Sequence, residues 1–384
     1  MKGVNKENIK KHALNEFLSE YKELNTDNKY RPVAVGRYGI RKRESIYSKE
    51  LAKDYSKNKL IHKDTLTVGM GSKQIDIGIL IEDKTFAVSP AYHTYKIQGI
   101  RCKYLEYCLQ SKNIEMFSLY AKRGSRQGKS IDLKRWLTYK VPVYSEEDQI
   151  VIEENLNKIN VVIELRRKQL ELLDELVRAR FVEMFGDENN SKGWEIVNIE
   201  DVANVQVGVV IKPSQYYTDQ YNGIKAFRSL NIGDGYIKDD DWVYFSKEGN
   251  KKNKKSILST NDVLVVRSGA PGTACVVTSE YAGSNAIDVI IAHPDFQKVD
   301  SRYLCTYTNM PHGKSQIIEG TGGAAQQHFN VGKYNKLKLM LPPLEYQKQY
   351  VKFLEEIDKS RSRIQKSLEA SQELFDSLMQ EYFG

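Results

Sequence analysis

Cysteine is sparse and ungrouped in this sequence. Four occur in 384 residues, Cys102, Cys108, Cys275 and Cys305; no two form a CxxC pair and none lies beside a histidine cluster. Neither a zinc site nor a disulfide scaffold is expected, and a reducing cytosol is the simplest home. Long apolar runs are also missing. Nothing approaches the ~18 apolar residues of a membrane span, and the opening MKGVNKENIKKH carries no apolar core of a signal peptide. The expected localisation is cytoplasmic. Neither sign of charge dominates: 58 Lys+Arg against 50 Asp+Glu give +8, an excess that favours a polyanionic partner without demanding one. The length fits two or three domains.

The signatures of catalysis are absent as well. No HExxH, GxSxG or paired-cysteine motif occurs, and the histidines (His12, His62, His93, His293, His312, His328) have no metal-ligand spacing. RGSRQGKS (123–130) has only three residues between Gly124 and Gly128, where a phosphate loop needs four, and it follows a helical stretch instead of a buried strand. LPPL (341–344) lacks the polar first and aromatic fourth residue of the box with which amino-methyltransferases grip a flipped base. No glycine-rich strand-to-helix turn offers a home for S-adenosylmethionine. The chain is expected to be non-catalytic, to bind no cofactor of its own and to hold no metal.

What is present is a repeat. FVEMFG (181–186) returns as MQEYFG (379–384), and a shift of 198 residues gives eleven identities over 38 gapless positions, from Gln149 on Gln347 to Phe185-Gly186 on Phe383-Gly384. The same shift places Asp64, Leu66, Val68 and Gly71 on Asp262, Leu264, Val266 and Gly269, and Ile131-Asp132-Leu133 on Phe329-Asn330-Val331; Tyr104-Leu105 meets Tyr303-Leu304 after a one-residue slip. Two tandem copies, about 1–186 and 187–384, account for this. Each has a mixed region of short apolar strands between Gly/Ser/Asn turns, a proline-bearing exit, and one long helix with neither proline nor glycine inside it.

The helices carry a seam spaced by three and four. It reads Leu156, Ile159, Ile163, Arg166, Leu170, Leu173, Val177, Arg180 and Met184 in the first, and Leu354, Ile357, Arg361, Ile364, Leu368, Ser371, Phe375, Leu378 and Tyr382 in the second. Each helix of about 38 residues would run roughly 57 Å. Polar interruptions at different heights allow the seams to pack in one register as an antiparallel coiled coil. The alternative is that each helix packs only on its own domain. Two copies joined by such a pair form a pseudo-dimer with an approximate two-fold axis, a geometry suited to two separated half-sites on duplex DNA.

Basic and amide side chains gather in glycine-bearing loops. In the first copy these are Arg37, Arg41, Lys42 and Arg43, then Lys122, Arg123, Arg126 and Lys129; in the second, Lys212, Arg228, Asn231, Arg267, Gln326 and Gln327. Cations neutralise phosphates, arginine pairs with guanine edges and glutamine with adenine edges. Any one of them is equally a solvated surface residue; their grouping points to DNA.

LPPLEYQKQYVKFLEEID (341–358), VLVVRSGAPGTACVV (263–277) and GTGGAAQQHFNV (320–331), set in two variable regions each followed by a long helix, resemble the specificity (S) subunit of a Type I restriction–modification system. The resemblance is close in the second half. In the first half, VPVYSEEDQ keeps only Pro142, Glu147 and Gln149 of the exit pattern. Residues 1–60 show no counterpart of GWEIVNIEDVANV (193–205) and are expected to open with an amphipathic helix, KENIKKHALNEFLSEYKEL (6–24). That marks a divergent first recognition region.

The resemblance implies a mixed α/β fold with two tandem target recognition domains, 1–140 and 187–338. Conserved helices at 141–186 and 339–384 would separate them as an antiparallel coiled coil. It implies a bipartite asymmetric DNA target, with helix length setting the gap. It also implies two methyltransferase (M) subunits carrying S-adenosylmethionine and flipping the adenine, and restriction (R) subunits using ATP and Mg2+. Three other readings stand beside it: a specificity module of a methylation-only system, a coiled-coil scaffold with paired domains for ligands other than nucleic acid, and a self-sufficient nuclease or methyltransferase, against which the failed motifs count.

Overall fold

The computed structural model describes residue 4 and residues 9–36, 39–43, 54–123, 129–321 and 329–384. The chain divides into two compact units, Met1–Lys168 with Gln365–Gly384, and Gln169–Ile364. Each unit thus holds part of both long helices, Glu146–Phe185 and Leu344–Phe383. The first helix opens on Ser145, whose Oγ accepts from Asp148 N (3.1 Å), and on the acids Glu146, Glu147 and Asp148, which suit the positive end of a helix dipole. It closes at Gly186, left-handed at φ +90°, whose N–H donates to Val182 O (2.8 Å).

The central sheet has the same order in both units. In the first it runs Leu18–Glu20, His93–Ile97, Thr65–Met70, Ile75–Leu80, and in the second Ala203–Val207, Val289–Pro294, Val263–Val266, Ala274–Val276, antiparallel throughout. A two-stranded ladder flanks each: Lys10–Ala13 with Lys140–Val143, and Glu195–Asn198 with Lys338–Leu341. Helices Cys102–Ser111 and Ser301–Asn309 cover the sheets through Tyr104 and Tyr303, both wholly buried. The aligned Asp132 and Asn330 each cap a short helix, accepting from Arg135 N and Lys333 N, and the aligned Trp136 and Tyr334 are fully buried.

The opening of the chain departs from expectation. Residues 10–20 are not an amphipathic helix but strand, 3-10 turn and strand, and they are the counterpart of 195–207. Leu14 and Ile199 sit alike, each wholly buried and donating N–H to Tyr139 O and Leu337 O. Glu16 and Asp201 reach back alike to Ala13 N and Asn198 N, each at 2.8 Å. The shift between the copies is 185 here and 198 later, which hides the match from a gapless comparison. Helical periodicity lost to ladder bonds with Lys140–Val143, a tertiary partner that local pattern does not reveal.

The seam residues are buried or half-buried along both helices. In the first unit, Leu156, Ile159 and Ile163 share a core with Leu378, Met379, Tyr382 and Phe383. In the second, Phe181 and Phe185 share one with Tyr350 and Leu354. The start of the first helix therefore meets the end of the second in one unit, and its end meets the second's start in the other: the helices run antiparallel where they touch. Arg361, one of the seam's polar interruptions, pairs with Asp174 (2.6 Å).

Candidate nucleic-acid interface

In the first unit, Arg41 and Lys42 lie exposed on strand Gly39–Lys42, paired with Val33–Gly36, and Arg43 follows, half-buried. Ala121–Arg123 and Lys129–Ile131 pair as antiparallel strands in which Arg123 is the register partner of Lys129, so the two ends of the RGSRQGK segment lie side by side. Lys122 is exposed, 3.8 Å from Asp132. Arg37 and Arg126 lie outside the described residues, as do Gln326 and Gln327 of the second unit.

In the second unit Arg228 and Asn231 belong to one tight turn. Asn231 is wholly buried; its Oδ1 accepts from Arg228 N (2.9 Å) and its Nδ2 donates to Asp240 O (2.8 Å). Its amide holds the turn closed and is not presented to solvent. Arg228 reaches Asp241, donating to its carbonyl and lying 3.3 Å from its carboxylate. Arg267 is mostly buried: Nη1 pairs with Asp288 (2.5 Å), Nε donates to Phe329 O (3.1 Å), and Phe329 N donates back to Arg267 O (3.1 Å). Lys212 is exposed in a left-handed conformation (φ +44°) just before the turn Pro213–Tyr216. Arg228 and Asn231 share that one turn, whereas Lys212 and Arg267 lie in two other loops.

Arg267 follows a strand of the central sheet, whereas the turns of Lys212 and Arg228 adjoin strands of a small sheet, Tyr217–Thr218, Val243–Phe245, Ile224–Phe227, Asn285–Ala286, the last pair parallel. On it Lys225 Nζ lies 4.8 Å and 4.9 Å from the ring centres of Trp242 and Tyr281, which stack at 26°, and 2.6 Å from Asp239. Trp242 Nε1 donates to the same carboxylate (2.7 Å). Lys225 first, then Trp242 and Tyr281, hold the Asp239 carboxyl below its ordinary range, while burial pushes the Tyr281 hydroxyl up.

One group was not singled out by sequence reasoning: the lysines of KEGNKKNKK (247–255), on helix Lys247–Lys252 and the turn Lys254–Ser256. The density of lysine was the available signal. Among the described residues no group of acids, histidines and cysteines is placed to hold a metal ion, and no helix is long and apolar enough to cross a membrane.

Residues 191–372 match the family of the Type I restriction modification DNA specificity domain. Over that stretch, in its second half, the chain is similar to the DNA specificity domains of Type I restriction–modification systems. The specificity subunit of the Type I restriction enzyme EcoBI from Escherichia coli is 22% identical over 175 residues, 46% of this chain and 37% of that one. That of MjaVIII from Methanocaldococcus jannaschii is 22% identical over 246 residues, 59% and 57% of the two chains. The matches thus span about half the length of these curated relatives. The crystal structure of a Type I restriction–modification S subunit from M. genitalium covers 100% of this chain and 98% of its own at TM-score 0.58 and 14% identity, so the fold is shared.

Proposed function

We propose that this chain is the DNA-reading, non-catalytic subunit of a Type I restriction–modification complex, and that each unit recognises one half of a bipartite, asymmetric duplex target. The observation that carries the reading is the duplicated anatomy: two units with the same central-sheet order, flanking ladder and capped short helix, but with different loops around them. A common scaffold with different loops is what two reading heads of different specificity require. In this reading the heads are 1–140 and 187–338, with 141–186 and 339–384 as the shared helical segments.

Reading without chemistry needs partners that supply it. Two methyltransferase subunits would bring S-adenosylmethionine and extrude the adenine, and restriction subunits would bring ATP and Mg2+. The cationic loops contribute phosphate contacts, which make affinity fall steeply with salt. The test is to express the chain with its methyltransferase partners and map methylated adenines genome-wide with and without this gene. Methylation at a two-part sequence, dependent on the gene, is the expected outcome. No gene-dependent methylation and no salt-sensitive duplex binding would overturn the reading, and would favour the scaffold for other ligands.

A further inference from the structure

The second unit carries five lysines within nine positions, Lys247, Lys251, Lys252, Lys254 and Lys255, against one acid, Glu248. All five are exposed, and none makes an ion pair among the described residues. Like charges this dense repel one another unless an anion lies among them. A merely solvated face needs no fixed backbone beneath it, yet this segment is fastened from two directions.

From the small sheet, the wholly buried Asn285 donates from Nδ2 to Asn250 Oδ1 (2.7 Å) and accepts at Oδ1 from Ser256 Oγ (2.7 Å). Ser246 caps the helix, its Oγ accepting from Gly249 N (3.0 Å), and Asn253 Nδ2 donates to Gly249 O (2.8 Å). From the central sheet, the Gln206 amide donates to Lys255 O and to His293 Nε2 (2.7 Å), and His293 Nδ1 faces the buried Asp262 carboxylate at 2.6 Å. Asp262, His293 and Gln206 form a relay of hydrogen bonds ending on the backbone of the lysine segment. Every buried polar group in this support has a partner, which makes it rigid.

Resting on the DNA-reading role proposed above, we infer that these lysines form a phosphate platform: they hold the second unit on the duplex backbone whatever its sequence, and leave base discrimination to other loops. Lysine suits that task as a compact point charge, whereas a site that recognises a guanine edge favours the planar fork of arginine.

The test uses the full chain with K251Q, K252Q, K254Q and K255Q combined, titrated against a mixed-sequence duplex of about 40 base pairs between about 50 and 200 mM salt. Each phosphate contact contributes roughly 0.9 to the slope of log affinity against log salt. The quadruple variant is expected to flatten that slope by roughly 2–4, to bind at least about tenfold more weakly at the lowest salt, and to leave the methylated sequence unchanged. The same four positions as arginine should keep the wild-type slope, and a K251Q/K252Q pair should give about half the flattening, which covers the case of a quadruple variant that fails to fold. An unchanged slope in a folded variant, or a changed methylated sequence, would overturn the platform. Absence of salt-dependent binding by the wild type would instead sink the DNA-reading role itself.

Discussion

Gln149 and Gln347 occupy equivalent positions and do equivalent work. Gln149 Nε2 donates to Tyr144 O (2.9 Å) while its Oε1 accepts from Arg101 N (3.2 Å); Gln347 Nε2 donates to Pro342 O (2.8 Å) and Lys298 O (3.1 Å) while its Oε1 accepts from Asp300 N (2.8 Å). Each pins the start of a long helix to the loop preceding a shorter one. Gln149→Leu and Gln347→Leu leave those backbone groups unpartnered in a buried site, so each should lower unfolding free energy by about 1–3 kcal/mol in denaturant titration. Asp76 behaves differently. Burial alone pushes its carboxyl above the usual range, so the folded state favours the protonated form, and its contribution is lost as pH rises through that raised value. Asp76→Asn should therefore raise the melting temperature near pH 7, with the gap closing as pH falls through the raised value toward about 4. At this scale the sequence showed the paired glutamines but not the intramolecular partners of the polar loop residues. Arg228, Asn231 and Arg267 read as candidate DNA contacts, and their partners Asp241, Asp240 and Asp288 lie 9 to 21 residues away, beyond any local pattern.

The long helices were legible because a three-four seam free of proline and glycine has few alternatives, and their seam residues are indeed withdrawn from solvent. The strand–turn–strand at 10–20 was not, because its identity depends on a ladder formed 130 residues further on. Helix ends matter most where aromatics close a core. Phe185 packs against Tyr303 and Tyr350 with ring centres 4.8 Å and 5.4 Å away, and Phe383 against Tyr104 at 5.5 Å. Each phenylalanine is fully buried within its unit. Phe185→Ala and Phe383→Ala should each cost about 3–5 kcal/mol. By hydrogen exchange, the first should expose amides of helix Ser301–Asn309 and the second those of helix Cys102–Ser111. Loss confined to the helix carrying the substitution would contradict this pairing.

For the whole molecule, the gapless repeat already disclosed two copies of one plan, and the mixed α/β fold with antiparallel helices agrees with it. The small sheet and its lysine segment stayed hidden because the copies diverge there. If recognition is modular, replacing residues 187–338 with the corresponding region of another specificity subunit should change one half of the methylated sequence and leave the other intact, as read by methylation mapping. Change in both halves would refute modularity. The exchange of helix ends adds a constraint on any such graft. Phe181 and Phe185 belong to the first copy's sequence yet complete the second copy's core, and Phe383 does the reverse. A transplanted region must therefore fit an aromatic plug inherited from its host, so compatibility between parents is decided in the core where Tyr303 meets Phe185. Selection for new targets can vary the loops freely only while that crosswise fit is preserved.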